Sequence, residues 1–298
     1  MRSIKRTVTA KPHMEGAGVH LHRGFGFGET APYDPFLLFD DFRNDDPKKY
    51  KNGFPWHPHR GIETITYVLA GTVEHADSLG NRGLLGAGDI QWMTAGSGIM
   101  HQEMPHGDPK GRMHGFQLWA NLPAKHKMTK PRYQDIGAKE IPTVVDDDGT
   151  SVRILCGDFW GKKGPVQGIA AEPRYLDISL PANTTRSIPI ETTRHAFAYI
   201  ISGLIRFRDA SDPQAIRVEN PFDHGRALPQ FFGNRSLVLF DQGDSIRVES
   251  GEHGGRFLLV SGEPIKEPVA WRGPVVMNTQ EELAQAWRDM REGTFVKR

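Results

Sequence analysis

His57-Pro58-His59 and, further along, His101-Gln102-Glu103 are two ligand–spacer–ligand triplets. Side chains on a β-strand repeat every two residues, so on strands both members of each triplet would face the same way. Two such strands side by side would bring three imidazoles and one carboxylate to a single point. That donor set suits Fe(II), Mn, Ni, Cu or Zn. Four protein ligands leave an octahedral ion two open positions, enough for a chelating substrate or for a substrate with dioxygen. A closed structural zinc site would favour cysteine, and the chain has one cysteine, Cys156.

The residues around the triplets fit this use. Pro58 fixes the backbone between its two histidines, which lowers the entropy of ordering them. Thr94-Ala-Gly-Ser-Gly-Ile-Met100 is a glycine-rich turn that can bring the backbone close to the site. A single His-x-His would read as surface histidines on a hairpin; two triplets, each beside a glycine-rich turn, read as a metal site. His20-Leu21-His22 has no accompanying carboxylate triplet and reads as a solvated strand face. Glu63, four residues after His59, is out of phase with both histidines on an unbroken strand and is expected only to support the ligands from behind. His114 could do the same or sit in the core. His106 and His126 read as loop residues, and Cys156 as a core residue of the strand Val152-Arg-Ile-Leu-Cys156 with no basic neighbour to activate it.

Strands must carry these groups. Ile62-Glu-Thr-Ile-Thr-Tyr-Val-Leu69 is β-branched and aromatic, and with Ala70-Gly71 and Thr72-Val-Glu-His-Ala76 it reads as a hairpin. Ile90-Gln-Trp-Met93 follows the turn at Gly88-Asp89, and Gly115-Phe-Gln-Leu-Trp-Ala120 is a further strand. One helix is expected near the end: Thr279 and Glu282 form a capping box, Leu283, Trp287 and Met290 one apolar face, and Gly293 the stop.

The chain repeats itself. Tyr67-Val-Leu-Ala-Gly-Thr-Val73 reads like Tyr199-Ile-Ile-Ser-Gly-Leu-Ile205, Gly88-Asp89 like Gly243-Asp244, and Phe116-Gln-Leu-Trp119 like Phe257-Leu-Leu-Val260, in the same order. We therefore expect two copies of one small β domain, residues 1–136 and 137–298, with the joint in the stretch Asp135–Asp148, where Asp146-Asp-Asp-Gly149 marks an exposed turn. The hairpin offset carries His57 and His59 onto Pro189 and Glu191, and His101 onto the neighbourhood of Arg256, so the second copy is expected to lack the ligands. Ten of the thirteen histidines precede residue 127.

Composition excludes several function classes. The 298 residues carry a formal net charge of +1 with no basic or acidic block, which gives no footing for nucleic acid or an anionic membrane. Apolar runs such as Phe36-Leu-Leu-Phe39 are far too short to cross a bilayer, and the basic opening is not followed by an apolar signal segment. The lone cysteine fits a reducing cytoplasm. A Ser-His-Asp triad, a phosphate loop and a dinucleotide fingerprint are all absent; Gly24-Phe-Gly-Phe-Gly28 lacks the context the last requires.

With these residues laid out, the chain resembles the pirin family of bicupins over nearly its whole length. The likeness is densest in Asp34-Pro-Phe-Leu-Leu-Phe-Asp40, His57-Pro-His-Arg-Gly-Ile-Glu-Thr64, Gly88-Asp-Ile-Gln-Trp-Met-Thr-Ala-Gly96, Gly98-Ile-Met-His-Gln-Glu-Met-Pro105 and Gln117-Leu-Trp119, and returns in Gly262-Glu-Pro-Ile-Lys-Glu-Pro268 and Val276-Met-Asn-Thr279. The resemblance implies an all-β fold of two cupin-type, jelly-roll-like barrels with a short C-terminal helix. It implies a single divalent ion in the N-terminal barrel on His57, His59, His101 and Glu103, with Fe(II) expected and Zn, Ni, Mn, Co or Cu as the alternatives. It further implies a quercetin 2,3-dioxygenase activity, in which a flavonol binds the metal through its deprotonated 3-hydroxyl, Glu103 acts as base, and dioxygen opens the ring with release of carbon monoxide. The other implied role is a redox-sensing regulator that binds a transcription factor or metabolic enzyme. The partner is then a small aromatic substrate or a protein, and the chain a cytoplasmic monomer. Trp56 departs from the acidic or polar residue often found there, and at a cavity mouth it could stack on an aromatic substrate.

Overall fold

Alternating apolar side chains along short strands require each sheet to bury one face, and the chain meets that requirement twice. The computed structural model describes residues 1–208 and 231–297. In the first half, a seven-stranded antiparallel sheet runs Arg132–Ile136, Ile90–Thr94, Ile62–Ala70, His114–Asn121, Phe36–Asp41, Val19–Phe25, Lys11–Glu15. A second, four-stranded sheet runs Phe54–His59, Ile99–His106, Thr72–Asp77, Arg82–Leu85, and the two enclose a barrel. In the second half one eight-stranded sheet closes the barrel, because the long strands His195–Arg208 and Ser245–Gly262 bend where their register shifts.

The expected hairpin after Ile62 is not one. Ile62–Ala70 and Thr72–Asp77 lie in different sheets, and the chain passes between them at Gly71. Gly71 has φ +78°, and a Cβ there would lie 2.6 Å from the His106 carbonyl oxygen, so only glycine turns this corner. Gly203 repeats the device at φ +71° in the middle of one bent strand.

Backbone pairing confirms the duplication and corrects its alignment. Asp41, Phe116 and Tyr67 stand in one row across three strands, and Asp177, Leu258 and Tyr199 stand in the same row of the other sheet. Phe116 therefore matches Leu258 rather than Phe257. Ile90 faces Tyr67 as Leu237 faces Tyr199, so Gly88 (φ +90°) matches Arg235 (φ +68°), not Gly243. His57 faces His101 as Ile188 faces Ile246, and Glu103 faces His75 as Val248 faces Phe207. The counterparts of His57, His101 and Glu103 are thus Ile188, Ile246 and Val248, and continuing the alternation makes Ile190 that of His59. The hairpin offset missed by one residue because the turn after Ile190 is one residue longer than the turn after His59. Arg256 sits elsewhere, paired with Asp177 at 2.6 and 2.8 Å.

The barrels pack through one shared core. Phe39, Tyr67 and Phe116 from the first interleave with Phe197, Tyr199 and Leu258 from the second. Across this seam the matched tyrosines bond reciprocally: Tyr67 donates to Asp177 at 2.6 Å, and Tyr199 donates to Asp41 at 2.7 Å.

Both termini cross from one half to the other. Strand Ile4–Thr9 pairs with Ser236–Phe240 in the second sheet. The tail returns to the first barrel: Ala270–Arg272 and Val275–Met277 form a small hairpin, and helix Gln280–Arg291 begins with the expected Thr279–Glu282 capping box. Buried Arg60 fixes this tail by bonding Asp289 and the Phe295 carbonyl oxygen, both at 2.8 Å.

Candidate metal centre

Strand Ile99–His106 lies between Phe54–His59 and Thr72–Asp77, and its inward side chains include His101 and Glu103. His101 faces His57 directly, while Glu103 faces Phe54, so the histidine strand carries one extra residue between them. Such a bulge re-aims side chains locally. The regular pairing of Ile99, Met100 and His101 with His59, Pro58 and His57 gathers the ligand nitrogens of His57, His59 and His101 within 4.8 Å of one another, the one such group of three or more among the described residues. Glu103 lies outside this close group. It lines the same cavity, and its Oε1 accepts the Thr66 hydroxyl at 3.2 Å.

The imidazoles are set to bind a cation. His57 Nδ1 lies 2.8 Å from the Pro55 carbonyl oxygen and His59 Nδ1 3.2 Å from that of Pro274. A nitrogen facing a carbonyl carries the proton, which leaves both Nε2 atoms with lone pairs. Those two Nε2 atoms stand 3.1 Å apart. Neutral acceptors at that distance need a positive centre between them. His101 adds two ring nitrogens that are buried and have no partner, although an orphaned buried polar atom is costly. Burial, and then the neighbouring His57, holds the His59 imidazolium well below the usual range; burial and the other histidines do the same for His101. Both rings therefore stay neutral, as metal ligation requires. Burial also raises the Glu103 carboxyl, against the pull of His57 and the Thr66 hydroxyl. The residues fit a divalent ion.

The site opens into a cavity of about 460 Å³. Its walls come from both sheets and from the tail: Leu21, Leu38, Val73 and Trp119 are joined by Trp271 and Pro274. Sequence reasoning missed the tail's part, since only the three-dimensional return of residues 270–277 brings it here. It also missed His75, fully buried behind Glu103, stacked on Tyr133 and 3.3 Å from Asp135.

Other candidates fall elsewhere. His20 and His22 lie on the face of their strand opposite Val19 and Leu21, which line the cavity. His114 pairs with exposed Asp45 at 2.6 Å. Trp56 alternates with the cavity-lining Pro55 and His57 and is 50% exposed, so Trp119 and Trp271 supply the aromatic wall instead. Glu63 faces the seam between the barrels, not the ligands; Thr94 bonds it at 2.7 Å, and burial pushes its carboxyl up to about 7. Cys156 is buried there too, its thiol pushed up to about 12 by burial.

Comparison with known proteins places this arrangement. The pirin family model matches residues 18–120, and that of the pirin C-terminal cupin domain matches residues 175–296. The chain belongs to the pirin family. A pirin-like protein of Caulobacter vibrioides is 42% identical over 99% of both chains. A Pseudomonas aeruginosa protein, whose name gives quercetin 2,3-dioxygenase as an unconfirmed activity, is 39% identical over 99% of this chain and 98% of its own. The crystal structure of an Acinetobacter baumannii quercetin 2,3-dioxygenase superposes with a TM-score of 0.84 at 27% identity, covering 99% of this chain and 98% of that one. The two barrels of this pirin are accordingly cupins, and the histidine group lies in the first. No helix among the described residues is long and apolar enough to cross a membrane.

Proposed function

We propose that this pirin is a metal-dependent dioxygenase that cleaves flavonols with dioxygen and releases carbon monoxide, working as a cytoplasmic monomer. In this reading residues 1–136 form the metal-binding unit and residues 137–298 a unit without ligands, their crossed termini aside. His57, His59, His101 and Glu103 hold the ion, with Fe(II) the expected metal. The observation that carries the proposal is the pair of facing Nε2 atoms beside the unpartnered nitrogens of His101, set in the wall of a cavity with a mainly apolar lining.

When bound, the metal supplies Lewis acidity toward an enolate oxygen and the redox chemistry that dioxygen needs. The chain supplies the rest. Glu103 takes the proton of the flavonol 3-hydroxyl; in the metal-free site burial already favours the protonated form of its carboxyl. The single proton of the Thr66 hydroxyl is shared between Glu103 Oε1 at 3.2 Å and Gln117 Oε1 at 2.8 Å. Trp119 and Trp271 give flat apolar surfaces to a planar substrate and keep water away. A cavity of about 460 Å³ lies in the range of small-molecule sites and favours the enzyme over a sensor, which would need no such space.

The test is an aerobic assay of iron-loaded protein against a flavonol panel, following loss of flavonol absorbance. Flavonols should be consumed and flavones lacking the 3-hydroxyl should not. Failure of the iron-loaded protein to consume any flavonol would return the regulatory reading to first place.

A further inference from the structure

One interior row of the first barrel is polar from end to end. Thr66, Gln117, Asp40 and Arg23 are successive partners across four neighbouring strands, and all four line the cavity. The row begins at the candidate metal carboxylate: the Thr66 hydroxyl, 3.2 Å from Glu103, lies 2.8 Å from Gln117 Oε1. Among the described residues the Gln117 amide nitrogen makes no hydrogen bond. Arg23 then grips Asp40 through two bonds of 2.8 and 2.7 Å, and its outer nitrogens meet Glu15 and His13, both at 3.0 Å.

The fold does not need this row. Its counterparts in the second barrel, read from the same pairing, are Ala198, Leu259, Leu176 and Ile154. All four are buried in an apolar core. Burying Asp40, which is 4% exposed, removes a carboxylate from water, and an ion pair in such a place adds little net stability over apolar residues. The row is therefore retained for something other than packing.

We propose that this row is the specificity edge of the cavity: Gln117 and the Asp40–Arg23 pair bind the hydroxyl groups of a polyhydroxylated aromatic substrate at the end away from the metal. The proposal rests on the reading of the cavity as a flavonol site and names which flavonols it takes. Asp40 lies two strand spacings from Thr66, roughly 10 Å, which suits a three-ring molecule chelated at one end. A distal hydroxyl donates to an Asp40 oxygen, and its own oxygen accepts from the Gln117 amide. One guanidinium against two carboxylates leaves this end net negative, so hydroxyl donors are favoured and a carboxylate, sulfate or phosphate tail is repelled.

Zinc-loaded protein, which binds without turnover, allows a direct test by quenching of Trp119 and Trp271 fluorescence. The probes are quercetin, with two hydroxyls on its distal ring, and galangin, with the same chelating head and none there. Wild type should bind quercetin roughly ten- to a hundredfold tighter, the scale of hydrogen bonds to charged groups. In the double variant Arg23→Ile/Asp40→Leu, which copies the second barrel and leaves no orphaned charge, that preference should vanish while galangin affinity holds. Gln117→Leu should lose part of it and, in iron-loaded protein, raise KM for quercetin with little change in kcat. Equal binding of the two flavonols by wild type, a preference that survives in the double variant, or one that stays at the wild-type value in Gln117→Leu, overturns the proposal and leaves the dioxygenase reading standing. Binding of neither sinks the flavonol reading and this inference with it.

Discussion

Where the first barrel carries His57, His59, His101 and Glu103, the second carries Ile188, Ile190, Ile246 and Val248 on the same positions of the same strands. His75 is answered by Phe207, and the row Thr66–Gln117–Asp40–Arg23 by Ala198–Leu259–Leu176–Ile154. The backbone pairing is the same and the interior chemistry opposite. Each fully buried Ile or Val contributes on the order of 1.5–3 kcal/mol, so the second barrel is filled in the way that stabilises most. The first barrel gives up that packing for polar groups around a cavity. Beside its own smaller apolar clusters it draws on its partner: the shared core and the reciprocal Tyr67–Asp177 and Tyr199–Asp41 bonds tie the half that holds the site to the half packed throughout with apolar residues.

The comparison breaks most severely if a second-barrel residue is moved into the first. His101→Ile should abolish metal binding, measured as metal per chain, and lower turnover more than a thousandfold, the scale of losing the several kcal/mol of Lewis-acid stabilisation a bound ion supplies. The metal-free variant should melt no lower than metal-free wild type, since the isoleucine replaces two unsatisfied buried nitrogens. His20→Ala and His22→Ala should leave occupancy untouched. A His101→Ile protein that still binds stoichiometric metal would remove the histidine group from consideration. Glu103→Gln is the milder exchange. At matched metal occupancy, turnover should fall by roughly the 10²–10⁴-fold typical of a lost general base, and wild-type turnover there would end the base role.

How much of this was legible beforehand follows from what each signal measures. The period of two in His57-Pro-His59 and His101-Gln-Glu103 is a local property, so the inward side chains could be named from sequence. Register is not local. The bulge opposite Gln102, which leaves Glu103 outside the close histidine group, depends on how two separate strands pair. The duplication was visible in Tyr67–Val73 and Tyr199–Ile205 because their corner needs a glycine in both copies. Its alignment slipped where turn lengths differ, by one residue at His57 and His59, and a slip of one turns a strand inside out. That is why Pro189 and Glu191 stood where Ile188 and Ile190 belong. Trp271 and Pro274, which complete the cavity, follow the second barrel in sequence, and no periodicity shows that the tail returns.

A gentler probe uses the seam, where the matched positions Glu63 and His195 carry groups of opposite kind. Burial raises the Glu63 carboxyl to about 7, so between roughly pH 4.5 and 7 the folded chain keeps a proton that the unfolded chain has released. Protons bound to the native state alone make stability fall as pH rises through that window, by up to about 3 kcal/mol. Burial acts on His195 in the other direction and lowers its pKa, so that group costs stability as pH falls below the ordinary histidine range. Glu63→Gln should therefore flatten the loss of stability of metal-free protein between pH 4.5 and 7, read from urea midpoints at several pH values. An unchanged slope would mean that Glu63 titrates as a solvated carboxylate.

The smallest expected effect tests whether the two halves are tied symmetrically. Tyr67 donates to Asp177 and also accepts from Arg153 at 2.9 Å, whereas Tyr199 donates to Asp41 and has beside its hydroxyl Arg43, which already makes two bonds to that carboxylate. Each aspartate keeps a two-bond arginine partner, Arg256 for Asp177 and Arg43 for Asp41, so losing the tyrosine hydroxyl leaves neither carboxylate bare. Tyr67→Phe and Tyr199→Phe should then each cost only about 1–2 kcal/mol, with Tyr67→Phe the larger because it strips an acceptor from Arg153 as well. Neither change touches a ligand, so metal content should be unchanged in both. Chemical denaturation of the two single variants and the double decides the matter. If one tyrosine contributes stability and the other nothing, the reciprocity is only geometric; comparable losses would show that both halves hold each other by the same device.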